Sequence, residues 1–386
     1  MKIAMLGHKR IPSREGGIET VVTELAVKME QRGNQVEAYN RWEPFNKELP
    51  KLPKEYRNVK IHKILTSQKS SLNAFIYSVL ATCSATCRAL FGDHDVLHYH
   101  AEGSCAMIWL PKLFRIPVVA TIHGLDWKRA KWGNFATKYL LFGERVAARY
   151  ADEIIVLSKD MQHYFLETYG RETHYLNNGI QVHDPVPPDK IRKFGLKEQN
   201  YILYLGRIVP EKGIHYLIEA FGGIDTDVKL VIAGNADKAN PYAASICEKA
   251  AKDKRIIMTG FVEGQMLEEL YSNCIAYVLP SDVEGMAITM LEAMSYGAHC
   301  IFSDIPENRE VAGDYAKYFP VGDVKALRVC LQHAISLRET EKNADGEREI
   351  AYIKEKFGWD PVVDSTLDIY KLAIKKMGKT VAQSTT

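Results

Sequence analysis

The 386-residue chain has no apolar run of the roughly 18 residues that a membrane-spanning helix needs, so it is not expected to cross a bilayer. Its seven cysteines are odd in number and scattered, with no Cys-x2-Cys pair. That excludes a disulfide frame and a zinc ribbon. Net charge is only +2, and no basic stretch is interleaved with aromatics in the manner of a nucleic-acid module. At the amino terminus, Met1 to Leu6 runs directly into a charged loop. Without an apolar segment and a small-residue cleavage site there is no signal-peptide pattern, and a cytoplasmic protein is expected. The turn after the first strand also lacks G-x-G-x-x-G, which argues against a nicotinamide-binding domain.

What remains is ordinary globular composition, 46% hydrophobic and 25% charged. A chain longer than the roughly 250 to 300 residues at which single cores stop growing implies two domains. Charge is uneven: residues 1–180 hold 25 Lys and Arg against 18 Asp and Glu, and the remainder holds 25 against 30. A basic first half would attract a phosphate-bearing substrate or an anionic membrane surface.

Short apolar runs alternate with amphipathic stretches, the pattern of β/α units around parallel sheets. Strands are expected at Ile3–Leu6, Val36–Tyr39, Val59–Ile64, Val96–His100, Val118–Thr121, Ile154–Leu157 and His174–Leu176, with helices from Glu19, Leu72, Asn134 and Lys159. Pro185, Pro187 and Pro188 break the periodicity. The alternation restarts at Ile202 and continues through strands beginning at Val228, Ile256, Ala276, Cys300 and Tyr315. The expected domains are therefore 1–180, a linker at 181–200, 201–358, and a C-terminal helix within 359–386 that returns to the first domain. Two facing doubly wound sheets would bind ligands at the carboxyl ends of their strands, with a cleft between them.

Four segments carry chemistry. Gly7 to Thr20, G-H-K-R-I-P-S-R-E-G-G-I-E-T, joins the first strand to the first helix. Gly16 and Gly17 there allow close backbone approach next to a helix N-terminus, an anion site. Gly206 to Gly213, G-R-I-V-P-E-K-G, follows the first strand of the second half. Arg207 and Lys212 are suited to neutralising a diphosphate. Pro280 to Gly297, P-S-D-V-E-G-M-A-I-T-M-L-E-A-M-S-Y-G, sets Glu284 in a loop and Glu292 in the following helix. A polyhydroxyl ligand could meet both carboxylates while the N–H groups of Gly285 to Ala287 face a phosphate. Thr121 to Gly133, T-I-H-G-L-D-W-K-R-A-K-W-G, places His123 at a strand's carboxyl end beside Gly124, Asp126, Trp127 and Trp132, a carboxylate and flat surfaces for a sugar. His98 and His100 alternate with Tyr99 on the preceding strand, each either facing the cleft or satisfied in the core.

These four motifs, in their order along the chain, resemble the retaining glycosyltransferases of family 4, which have the GT-B fold. The resemblance spans Gly7 to Gly297. It implies that Arg207 and Lys212 hold the donor diphosphate, that Glu284 binds hydroxyls of the transferred sugar, and that Glu292 binds the ribose. It further implies donor contacts from Gly16, Gly17, Gly206, Gly285, Met286 and Ala287, a backbone contact to the base from the loop Gly260 to Val262, and His123 beside the reacting sugar. Glu19, Asp126 and Trp127 are candidates for the acceptor side. Where relatives often carry Gly-Phe-Gly after the first glutamate, this chain has Gly285, Met286 and Ala287, which narrows the pocket.

The segments G-G-I-E-T and G-L-D-W-K-R-A-K-W-G further resemble a bacterial subgroup of capsule, exopolysaccharide and O-antigen assembly that includes rhamnosyltransferases. A nucleoside diphosphate sugar donor, a lipid-linked glycan acceptor and peripheral contact with the inner face of the membrane follow as expectations. No metal or other cofactor is expected, since cationic side chains are available to neutralise the leaving group. Two alternatives stay open, a nucleotide-sugar 2-epimerase on the same fold and a non-catalytic nucleotide-sugar binder.

Overall fold

The computed structural model describes residues 1–44, 51–66, 70–125, 127, 134–237, 240–337 and 339–378, with backbone alone for 70–72, 134 and 339–345. Asp126 and Trp132 lie outside the described residues, as does the tail 379–386. The chain divides into two compact units, 1–178 with 359–386, and 179–358.

In the first unit the elements are β1 (Lys2–Leu6), α1 (Gly17–Gln31), β2 (Gln35–Trp42), β3 (Glu55–Tyr56), β4 (Val59–Leu65), α2 (Ser70–Leu90) and β5 (Val96–His100). Then follow α3 (Glu102–Cys105), α4 (Trp109–Leu113), β6 (Val118–Ile122), α5 (Asn134–Tyr150), β7 (Glu153–Val156), α6 (Lys159–Tyr169) and β8 (His174–Tyr175). The sheet order is β3-β4-β2-β1-β5-β6-β7-β8, parallel except for the β3 hairpin edge. β1, β5 and β6 bury nearly every residue, as central strands covered on both faces must. The C-terminal helix, Trp359–Lys376, packs on this sheet beside α1, burying Val363, Leu367, Tyr370 and Ile374 at helical spacing.

The second unit contains β9 (Tyr201–Leu205), α7 (Ile214–Gly222), β10 (Lys229–Ala233), α8 (Pro241–Ala251), β11 (Ile256–Gly260), α9 (Gln265–Ser272) and β12 (Ala276–Leu279). It continues with α10 (Ile288–Ser295), β13 (Cys300–Ser303), α11 (Pro306–Ala312), β14 (Ala316–Phe319), α12 (Val324–Ser336) and α13 (Glu339–Lys356). The order β11-β10-β9-β12-β13-β14 is fully parallel. In sequence terms that is 3-2-1-4-5-6, the doubly wound arrangement whose direction reverses between its first and fourth strands. The segment expected as a linker, 181–200, belongs to this unit. Ile191 is fully buried, and Glu269 accepts hydrogen bonds from the backbone N–H of Asp189 (2.8 Å) and Ile191 (3.1 Å).

Candidate functional site

β9 and β12 are neighbours, so the loops leaving their carboxyl ends, 206–213 and 280–287, emerge side by side at the point where the sheet reverses. Backbone contacts stitch them together. Gly213 has φ +63°, and a Cβ there would collide with the carbonyl oxygen of Pro280. The Asp282 N–H donates to the Glu211 carbonyl at 2.9 Å. A side chain at Gly234, on the next loop, would collide with the Gly206 carbonyl. Glycine at these positions is what lets three loops converge.

Lys212 and Glu284, 72 residues apart, form an ion pair inside this junction, with side chains 14% and 8% exposed. Beneath them lie two tyrosines. The Tyr204 hydroxyl donates to the Arg207 carbonyl at 2.9 Å, and the Tyr277 hydroxyl to Thr289 Oγ1 at 2.8 Å. Burial raises both phenols far above their usual range, so they act only as neutral donors. Arg207 is half-buried and makes no ion pair among the described residues. Helix α10 begins at Ile288, with Ala287 at its cap. Its first turn has no acidic residue and no side-chain cap, so its positive end is uncompensated. Glu292, 8% exposed, accepts from the Tyr271 hydroxyl at 3.0 Å. Gly260, at φ +73°, turns the chain after β11 toward the buried Val262.

The first unit repeats this logic where β1 meets β5. A Cβ at Gly7 would collide with the His100 carbonyl. Next to it Ala101 has φ 68° and ψ 151°, a conformation proper to glycine and costly for an L residue. Gly16 caps α1, and a side chain there would meet the Glu19 carboxylate. Glu19, considered for the acceptor side, is buried and holds the loop by accepting from the Lys9 N–H at 3.0 Å. Trp127, considered on the same grounds, donates its indole N–H to the buried Glu144 at 3.0 Å, and Tyr164 and Tyr169 donate to the other oxygen of that carboxylate.

His98 is a core histidine. Its Nδ1 meets the Tyr370 hydroxyl at 2.6 Å and its Nε2 meets Thr121 Oγ1 at 2.7 Å, and burial pushes its pKa down to about 3. His100 Nδ1 lies 3.0 Å from His123 Nε2. Burial, reinforced by the neighbouring imidazoles, holds His100 neutral. Its Nε2 is buried without a hydrogen-bond partner. Burying a lone pair costs less than burying an unpaired N–H, so the proton belongs on Nδ1, donated to His123. His123 is then left with Nδ1 as its protonated nitrogen. Together His100 and His123 line a small hollow with Val21, Leu25, Asn178 and Trp359.

Residues 15–184 match glycosyltransferase family 4, and residues 188–347 match glycosyl transferases group 1. The chain belongs to the GT-B glycosyltransferases. An uncharacterized glycosyltransferase of Methanocaldococcus jannaschii is 24% identical over 98% of this chain and 100% of its own length. A phosphatidyl-myo-inositol mannosyltransferase of Mycobacterium leprae is 25% identical over 92% of this chain and 93% of its own. Among solved structures, Anabaena HepE in complex with UDP and glucose superposes with a TM-score of 0.78 at 17% identity, covering 96% of this chain and 99% of that one.

Several residues that build this glycosyltransferase's loops gave no signal in the sequence. Asn40 clamps the first loop through His8 Nε2 (2.8 Å), the Ile11 N–H (3.1 Å) and the Ile11 carbonyl (2.7 Å). Tyr77, deep in α2, accepts from the Gly7 N–H and donates to the Tyr39 carbonyl. Neither belongs to a motif, and each acts across more than 25 residues of sequence. Two Asp-x-Asp spacings, Asp93–Asp95 and Asp225–Asp227, precede β5 and β10. They sit at the amino ends of strands, opposite the loops just described. Among the described residues no group of three His, Cys, Asp or Glu could hold a metal ion.

Proposed function

We propose that this glycosyltransferase moves a sugar, with retention, from a nucleoside diphosphate sugar to an acceptor hydroxyl, the acceptor being a lipid-linked glycan of bacterial surface polysaccharide assembly. The carrying observation is the Lys212–Glu284 pair at the reversal of the second sheet, beside the uncapped start of α10. A cation and helix N–H groups suited to diphosphate oxygens, and a carboxylate suited to sugar hydroxyls, lie within one junction and match two parts of such a donor. The structural neighbour holding UDP and glucose supports a nucleotide donor, and the relative named for a phosphatidyl-inositol acceptor supports a lipid-borne one.

In this reading the bond from the anomeric carbon to the diphosphate oxygen breaks, and a new bond forms to the acceptor oxygen on the same face. The acceptor's proton passes to the departing phosphate. Arg207, Lys212 and the α10 N-terminus stabilise the charge that builds on the diphosphate. Glu284 orients the transferred sugar and Glu292 the ribose, while Gly206, Val262, Gly285, Met286 and Ala287 shape the donor's bed. Gly16 and Gly17 are assigned to the donor and His123 to the reacting sugar, as the family resemblance implies. The deciding experiment is a panel of nucleotide sugars assayed for binding and slow hydrolysis, followed by transfer of labelled sugar into a lipid extract. An epimerised sugar formed from donor alone, or tight donor binding without turnover when lipid acceptors are supplied, would replace this reading.

A further inference from the structure

Ten of the eighteen exposed large hydrophobic side chains among the described residues fall between Phe75 and Tyr150. That is a fifth of the chain, so the concentration calls for a cause. Along α2, Phe75, Leu80, Cys83, Cys87 and Leu90 recur every three to five residues and are all exposed, and Phe91 just beyond is 83% exposed. On α4 and its end, Trp109, Leu113 and Phe114 are exposed as well. Helix α4 packs against both α2 and α5, and Phe75 meets Tyr139 edge to face at 6.0 Å, so the three helices share one surface.

The exposed stripe of α5 is of a different kind. Phe135, Lys138, Phe142, Arg145 and Arg149 follow one another at steps of three and four, alternating ring and cation along a single line. Acid is missing from the exposed faces of these three helices. α2 and α4 contain no Asp or Glu, and Glu144, the one carboxylate of α5, is fully buried. Between Ser70 and Tyr150 there are nine Lys and Arg against five Asp and Glu, and two of those five, Glu102 and Glu144, are buried.

From this we infer that the α2–α4–α5 face docks on a bilayer of anionic phospholipid, its rings and Leu113 entering the interface and Lys138, Arg145 and Arg149 meeting the headgroups. Two features favour lipid over protein. A second copy would bring the α5 cations against their own images, which repels, and an exposed apolar face whose α5 edge carries only cations matches the charge sign of an anionic leaflet. The inference rests on the proposed lipid-linked acceptor in purpose, though the surface stands on its own residues.

The test is co-sedimentation of the full chain with vesicles of phosphatidylcholine alone and of phosphatidylcholine with one-third phosphatidylglycerol. Binding is expected only to the second, weakening as salt rises. A basic side chain at an anionic surface contributes about 1 kcal/mol, about fivefold in affinity, so Lys138→Gln/Arg145→Gln/Arg149→Gln should weaken vesicle binding about a hundredfold. Leu113→Ser/Phe142→Ser should weaken it tenfold or more. Lys252→Gln/Lys371→Gln, on exposed lysines elsewhere, should leave it unchanged. UDP binding in solution, followed on the same proteins, reports separately on the glycosyltransferase reading. Equal binding to both vesicles, binding to neither, or triple-variant binding equal to the parent would overturn the docking face. So would a dimer in ultracentrifugation that Leu113→Ser/Phe142→Ser abolishes with no vesicle binding.

Discussion

Replacing Lys212 with Met removes the positive member of an ion pair whose negative member, Glu284, has only 8% of its side chain exposed. A carboxylate stranded in that position loses its partner without gaining water, and breaking a buried pair in this way costs about 3 to 5 kcal/mol. The second unit, 179–358, falls in the size range where 1 kcal/mol shifts the melting temperature by about 2 to 4 °C, so its transition should drop by about 10 °C. Adding Glu284→Gln removes the stranded charge and should recover most of that loss, since a neutral amide tolerates burial beside Met far better. Turnover should behave otherwise. Lys212→Met is expected to cut it by about 10² or more, the scale of losing one group that stabilises transition-state charge, and the double variant should stay inactive. Differential scanning calorimetry with and without UDP, alongside steady-state turnover, reads both quantities. A single variant as stable as the parent, or a double variant that regains activity together with stability, would refute the reasoning.

Acid should attack the first unit before the second. Burial lowers His8 and His94 to about 4 and His98 to about 3, and holds His100 well below 6.5. With folded values below the unfolded one, the unfolded chain binds more protons, so stability present above about pH 6.5 is lost as pH falls, by about 3 kcal/mol for His8 alone near pH 4. Glu37 adds to this lower down: burial alone would raise it, but the His62 hydrogen bond and the charges of His94, His62 and Arg88 bring it to about 2. Pepsin cleavage at pH 4 should therefore map first to residues 1–178, and earlier cuts within 179–358 would count against the account. Gly7→Ala, which forces a Cβ against the His100 carbonyl at φ +103°, should cost about 3 kcal/mol or more in urea denaturation. Gly33→Ala, at φ +78° with open space around it, should cost only about 1 kcal/mol, and equal effects would remove the steric argument.

The alternation of buried runs and amphipathic stretches made the sheets legible, because a strand such as Ala276–Leu279 is buried at every position and reads as continuous apolarity. The loop glycines were legible as well, since Gly7, Gly206 and Gly213 stand directly between a strand and a helix. Helix α13 was not: E-T-E-K-N-A-D-G-E-R-E offers no apolar period, and it is held where Gly346 meets the Gly297 backbone. The prolines of 181–200 read as a linker between domains, while Ile191 and Glu269 tie that stretch into the second unit across nearly 80 residues. The same distance hid the pairing of Lys212 with Glu284. Each could be assigned to a ligand from its own motif, but nothing local announces that they also neutralise one another.

The path of the chain has a practical corollary. The second unit is a single uninterrupted stretch whose two ends meet: Ile180 pairs with Gly358, and the Ile180 N–H donates to the Phe357 carbonyl at 2.8 Å. The first unit is split around it, its final helix arriving only after the insert is complete. Such a layout behaves as a cassette. A homologous segment could be exchanged at 179 and 358 without cutting any strand of either sheet.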